Sequence, residues 1–315
     1  MKKFTLFALS LTLIAILCSC NTKQEAPKDD INAQQAAPTA PAPGDEIFKY
    51  TITTDIEADG ENIEILVAMN SVQGQYPVKY DLDCEGDGTF EFNGLTDNQK
   101  CIYKKNSGTH QIWLRGEIPG MFLCARRPEE VDCGPEVPDD INNFLCVVPL
   151  ENDQSTKAVI SIDSWGNVPW KSMLLFAARC EALNKLPDDS PDLSQVNDMS
   201  GMFFLATLFN QQLEKWDVSN VIKMEGMFAG TYAFNQPLEK WNVSKVSNMS
   251  YMFLIARSFN QPLENWDVSN VTNMSGMFVE ADAFTQPLNG WNVSNVTDMI
   301  GMFQAAKLFN QPLEN

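Results

Sequence analysis

Basic residues are scarce in this chain. Lys and Arg number 22 against 41 Asp and Glu, for a formal net charge of −19. A protein so short of cations lacks the footprint that nucleic-acid phosphates require. It also lacks the polybasic patch that docks on anionic lipid. Histidine is scarcer still. His110 is the only one, in a strand-like stretch where capping or packing accounts for it. No Ser-His-Asp or Cys-His set, G-x-S-x-G elbow or phosphate loop can be assembled, so an enzyme is not expected. Paired acids abound, but at this composition they say little. Long apolar runs are missing too: Phe4 to Leu17 is fourteen residues, short of the roughly 20 that span a bilayer.

What the amino terminus does have is Lys2 and Lys3 ahead of that run, the layout of an export signal. It ends in "LCSC", Leu17 to Cys20, which resembles the lipobox of bacterial lipoproteins. The resemblance implies cleavage after residue 19, with lipid on the sulfur and new amino group of Cys20. Residues 20–45, rich in Ala, Pro, Gln and Asp, lack aromatics. They cannot bury enough apolar surface to offset ordering and read as a flexible tether. The expected location is the bacterial cell envelope, lipid-anchored at the outer membrane or cell surface.

The strongest signal is internal repetition. "FNQPLENWDVSNVTNMSGMF" at 259–278 has near copies at 234–253 and 284–303. Met199, Met224, Met249, Met274 and Met299 are spaced by 25, as are Phe209, Phe234, Phe259, Phe284 and Phe309, and Trp216, Trp241, Trp266 and Trp291. Within a unit, Met249, Met252, Phe253, Ala256 and Phe259 fall on one face of a helical turn. Leu263, Trp266 and Val268 then follow an L-x-x-W-x-V spacing, suited to a short strand. One unit cannot bury its Trp, Phe and two Met alone, but stacked units can. Cys180 falls on the small core position of an imperfect earlier unit and reads as a buried thiol.

The repeats resemble the bacterial surface-protein repeat of about 25–26 residues, a relative of BspA-like leucine-rich repeats. That resemblance implies export, surface display and, for BspA-like relatives, adhesion to host proteins or other cells. The fold expected is α+β: an antiparallel β-sandwich over 46–150, a cap and degenerate repeat over 151–190, and a leucine-rich-repeat-like solenoid of 25-residue units over 191–315. Trp165 and Trp170 are expected to cover the first turn. No polar end cap follows "FNQPLEN", so the reading is of a fragment of a longer array, or of an open end that meets a partner.

Short alternating segments such as "FKYTITTDI" and "NIEILVAM", separated by Gly-rich breaks, give the sandwich. "YDLDCEGDGTFE" followed by "CIYKKNSGTHQIWLRGEIP" resembles the polycystic-kidney-disease-type module, a spacer or adhesive unit. Cys84 and Cys101 fall on two strands that this fold brings together, and a bridge is expected there. Two of Cys124, Cys133 and Cys146 are expected to staple the insertion they flank, in an order the sequence leaves open.

Two kinds of site follow. Asp83, Glu85 and Asp87, in "DCEGDG", resemble the start of a calcium loop. The glutamate that completes an EF-hand is missing, and Asp-Gly turns are ordinary hairpin connectors. No cofactor is therefore expected, and calcium is the one candidate ligand. The second site is a ribbon of outward residues on the repeat strands: Glu214, Asp217, Glu239, Asn242, Glu264, Asp267 and Asn292. The first function expected is a surface lipoprotein whose ribbon binds a protein or glycan partner, with the membrane engaged through lipid and nucleic acid not at all. An envelope spacer is the second reading and a glycan-acting hydrolase the third.

Overall fold

In the computed structural model, residues 47–56, 61–69, 75–126, 148–149 and 155–313 are described. Cys20, the tether, Cys133 and Cys146 lie outside them.

The first part is β-sheet. The strands are β1 Phe48–Thr53, β2 Asn62–Met69, β3 Lys79–Asp83, β4 Phe92–Leu95, β5 Gln99–Lys104, β6 Thr109–Glu117, β7 Met121–Phe122, β8 Ala125–Arg126, β9 Val148–Pro149 and β10 Val159–Ser164. Strand β1 alternates buried and half-buried residues without a break, the period-2 pattern that a sheet with one covered face demands. Five strands form one sheet in the order β10-β1-β6-β3-β4, and β5-β2-β7 form a second. The pairings within both sheets are antiparallel. Tyr50, Ile52, Ile63, Ile65, Leu82, Tyr103, Ile112 and Leu114 are buried together in one core. A disulfide joins Cys84, just past β3, to Cys101 in β5, so it ties one sheet to the other.

The edge strand β10 comes from beyond residue 150. It pairs with β1 on one side. On the other, the Ile162 N–H donates to the carbonyl of Lys185 at 3.0 Å, and Asn184 donates to Ile160 at 3.0 Å. The sheet edge is thus covered by the start of the repeats, which removes a template for unwanted pairing. Trp165 and Trp170 are buried beside Phe48 and Phe176. Their contacts join sheet and first coil in one apolar layer.

The repeat region corrects the expected class. Among the described residues the only helix is α1, Ser155–Ala158, four residues long. From 165 to 313 there is neither helix nor named strand, only turns and a column of isolated parallel bridges, Asp198↔Lys223↔Asn248↔Asn273↔Asp298. The regular elements are therefore almost wholly β, and an α+β fold with a leucine-rich-repeat-like solenoid does not hold.

The reason lies in where the N–H groups point. Met199, Gly201, Phe203 and Leu205 donate to carbonyls of the next coil, at Lys223, Glu225, Met227 and Ala229, over 2.8–2.9 Å. The alternate residues Met202, Phe204 and Ala206 donate three residues back, to Met199, Gly201 and Phe203. A helix would spend its N–H groups beyond the first turn inside its own segment and leave no alternating row for the neighbouring coil. The alternation needs left-handed backbone twice per coil: Gly201 and Leu205, Gly226 and Gly230, Tyr251 and Ile255, Gly276 and Glu280, Gly301 and Ala305 all have φ between 51° and 71°. Glycine occupies the first of each pair in four of these five coils, where an L side chain would cost roughly 1–2 kcal/mol. The proposed strand L-x-x-W-x-V is likewise a run of turns: Trp216 donates to Leu213 at 3.0 Å and Val221 to Val218 at 2.9 Å.

Candidate functional site

Each coil repeats its side chains over those of the coil before. Phe203, Phe228, Phe253, Phe278 and Phe303 stack with centroids 5.5–5.8 Å apart. Phe209, Phe234, Phe259, Phe284 and Phe309 form a second column at 5.9–6.0 Å. Within a coil the two rings lie 4.0–4.2 Å apart. Offset, near-parallel stacking is a favoured aromatic geometry. Trp216, Trp241, Trp266 and Trp291 are all buried. A buried indole N–H usually finds an acceptor. Trp241, Trp266 and Trp291 donate theirs to the carbonyls of Leu213, Leu238 and Leu263 in the preceding coil, at 2.9, 3.0 and 2.8 Å.

The polar rim is laddered too. The Asn210 Oδ1 accepts from the Asn235 N–H and from Gln236, each at 2.9 Å. Asn235 serves Asn260 and Gln261 in the same way, and Asn260 serves Thr285 and Gln286. An amide both donates and accepts, so it can be stacked on its own kind without a mismatch. This ladder escaped the sequence reading, although "NQ" after the second Phe, "TQ" in the coil of Phe284, is its signature.

The candidate ribbon sits on turns, not on strands, which corrects its expected setting. Glu214 is half-buried and paired with Lys240 at 3.0 Å. Glu239, Asn242, Glu264, Asp267 and Asn292 are exposed, as is Asp217. Their roles divide. Asp217, Asn242, Asp267 and Asn292 each accept the N–H of the serine two residues on, at 3.0–3.2 Å, which is an Asx turn. Hydrogen bonds from the side chain and then the backbone of Ser219 hold the Asp217 carboxyl below the usual range, and Ser269 does the same to Asp267. Glu239 and Glu264 are freer; Glu239 accepts from Asn265 at 2.7 Å. The ribbon that a partner could engage without unmaking a turn is therefore the glutamate column.

The calcium candidates are engaged by the backbone of their own turn. Asp83 is fully buried, and its carboxylate accepts N–H groups from Glu85, Gly86 and Gly88 at 2.6–3.0 Å. Those dipoles stand where a cation's charge would otherwise be. Asp87 accepts from Thr89 at 2.8 Å. Among the described residues no three His, Cys, Asp or Glu side chains converge as metal ligands. His110 lies tilted against the Tyr103 ring, with centroids 4.6 Å apart, and hydrogen-bonds Ser107 at 2.8 Å.

The cysteines bring one agreement and one correction. Cys84 and Cys101 are bonded as expected. Cys180 is buried, but it is no free thiol: it is bonded to Cys124. The partner of Cys124 is therefore not one of the two cysteines that share its insertion. The Leu123 N–H, donating to Phe176 at 2.9 Å, brings the two segments together beside that bond.

Residues 171–274 and 241–315 match a family model described as "Mycoplasma protein of unknown function, DUF285". The two matches together cover the stacked coils. No curated protein and no solved structure matches the chain. Among the described residues no helix is long and apolar enough to cross a membrane.

Proposed function

We propose that this chain is a lipid-anchored protein of the bacterial surface, held through Cys20, whose coil stack presents its flank to a protein or glycan partner. The signal-like amino terminus and the similarity of residues 171–315 to that mycoplasma family support the location. The observation that carries the binding role is the exposed glutamate column Glu239–Glu264, spaced by the coil and outside the Asx turns, with Glu239 accepting one bond, from Asn265. Extended faces of this kind are the usual contact surfaces of repeat proteins. The resemblances to BspA-like repeats and to the polycystic-kidney-disease-type module fit the same role.

The experiment is protease shaving of intact cells, followed by a pull-down with the intact protein and with Glu239→Lys/Glu264→Lys. Release by protease together with a partner lost by the double variant is the expected result. A partner retained by the variant moves the site off this column. Protection from protease overturns the surface location. A second reading, an envelope spacer, has one observation in its favour: the other polar columns are largely consumed by coil-to-coil bonds. Recovery of no partner from shaved-cell or host-matrix fractions favours it.

A further inference from the structure

Two Asn-Gly pairs occur in this chain, Asn93-Gly94 and Asn289-Gly290. In such a pair the glycine nitrogen can attack the asparagine side-chain amide, because the following residue carries no side chain to hinder the approach. Exposure does not separate the two pairs, since all four residues are exposed. Hydrogen bonding does. Asn93 and Gly94 lie in β4. The Gly94 N–H, the nucleophile of that pair, donates to the Asp81 carboxylate at 2.8 Å. The Asn93 Nδ2 donates to the Phe90 carbonyl at 3.0 Å. On either side of them, Phe92 and Leu95 pair with β3. Attack at Asn93 would have to undo these contacts together.

Asn289 and Gly290 are the central residues of a turn, closed by the Trp291 N–H donating to the Leu288 carbonyl at 3.1 Å. A turn of this kind engages the N–H of its fourth residue and leaves that of its third outside the bond. That third residue is Gly290, and its N–H meets no acceptor among the described residues. Glycine is held here by the preceding coil: an added Cβ would lie 2.5 Å from the Glu264 carbonyl. Asn289 stands at the coil position that Glu214, Glu239 and Glu264 occupy earlier in the stack.

We infer that Asn289 is a site of self-modification, converted in the folded protein to a carboxylate that adds a fourth member to the glutamate column. The Gly290 nitrogen gives its proton to solvent and bonds to the Asn289 Cγ, and the side-chain nitrogen leaves as ammonia. Water then opens the five-membered imide at one of its two carbonyls, giving aspartate or its β-linked isomer. The sum is amide plus water to carboxylate plus ammonia, with no oxidant or reductant. The flank gains one negative charge per chain. The chemistry rests on residues 289 and 290 alone and is read without any partner; only its bearing on binding rests on the flank reading above, so the two can fail separately.

The test incubates the intact folded protein at neutral pH in water enriched in heavy oxygen, then maps its peptides by mass spectrometry after digestion in acid. Label is expected at 289 at a rate at least about tenfold that at 93, a difference of about 1.4 kcal/mol in barrier. In urea the two pairs should convert at similar rates, which assigns the selection to the fold. Asn289→Gln, whose longer side chain must close a less favourable six-membered ring, should abolish the label in that peptide while leaving the melting temperature nearly unchanged. Retention of the Asn289 amide in the folded protein over the time in which the unfolded chain converts overturns the proposal. So does equal or faster conversion at Asn93 in the folded protein, or label that persists in the same peptide of the Asn289→Gln variant.

Discussion

The sheet region and the coil stack solve the same problem with opposite kinds of contact. In the sheets a buried side chain meets varied neighbours. Phe48, for example, lies beside Tyr50, Trp165, Trp170 and Phe176 at interplanar angles from 35° to 85°. In the stack the Phe columns set each ring on its own copy one coil away. That difference dictates which residues are admissible. A position in the stack must hold a group that tolerates its own copy at about 6 Å, as Phe rings and amides do. Like charges do not; two at that distance repel by roughly 0.7 kcal/mol even in water. From residue 217 onward the Asx column accordingly alternates Asp217, Asn242, Asp267 and Asn292. On the exposed rim the rule relaxes, since Glu214, Glu239 and Glu264 recur at the coil spacing; there some charges pair across coils with the opposite sign, as Lys307 does with Asp282 at 2.8 Å and Lys240 with Glu214.

The comparison breaks most visibly at an interior ring. Phe253 is buried between Phe228, Phe259 and Phe278. Phe253→Ala is expected to lower unfolding stability by about 3–5 kcal/mol, read from denaturant melts. Phe253→Leu keeps the apolar bulk but removes the ring, and should cost about 1 kcal/mol through the lost ring-on-ring contacts. A cost near zero would mean that ring stacking is not what holds the coils.

A sharper probe is the left-handed backbone. At Gly276, φ is +59°, and an added Cβ would lie 2.4 Å from the Tyr251 ring. Gly276→Ala should cost about 2–3 kcal/mol, the sum of left-handed strain and the clash. In a Tyr251→Gly background the clash is gone and about 1 kcal/mol should remain. A double-mutant cycle measures the difference; a coupling near zero would show that the ring yields freely.

The smallest effect is that of pH. The carboxyls of Asp217 and Asp267 sit below their usual range in the folded chain. Their contribution is therefore complete above the unfolded value near about 4 and is lost as pH falls through the lower folded value. Melting temperature should decline between about pH 4 and pH 2 through these two coils. Asp217→Asn/Asp267→Asn should flatten that part of the decline while leaving neutral-pH stability nearly unchanged, since Asn242 and Asn292 already make the same turn. An unaltered slope would place the acid sensitivity elsewhere.

Much of the candidate surface was legible in the order of residues, and some was not. The exposure of Glu239, Asp267 and their equivalents follows from their place beside the Leu, Trp and Val that must turn inward. Their involvement in Asx turns did not follow, because a strand and a turn can expose the same residue. The Cys84–Cys101 bridge was legible once the two strands were recognised. Cys180 was misassigned because its neighbour in space is 56 residues away in sequence, and nothing local in the repeat announces that the first coil abuts the sheets.

The sequence alone determined the 25-residue period and the Met, Phe and Trp columns, since a side chain that must pack on its own copy is written into the chain by repetition. Only the tertiary structure decided the backbone path. The spacing Met249, Met252, Phe253, Ala256 suits one face of a helix or the inside of successive turns equally well. The choice fell to the turns because alternate N–H groups find stronger use as donors to the next coil than inside their own, and that partner exists only once the coils are stacked.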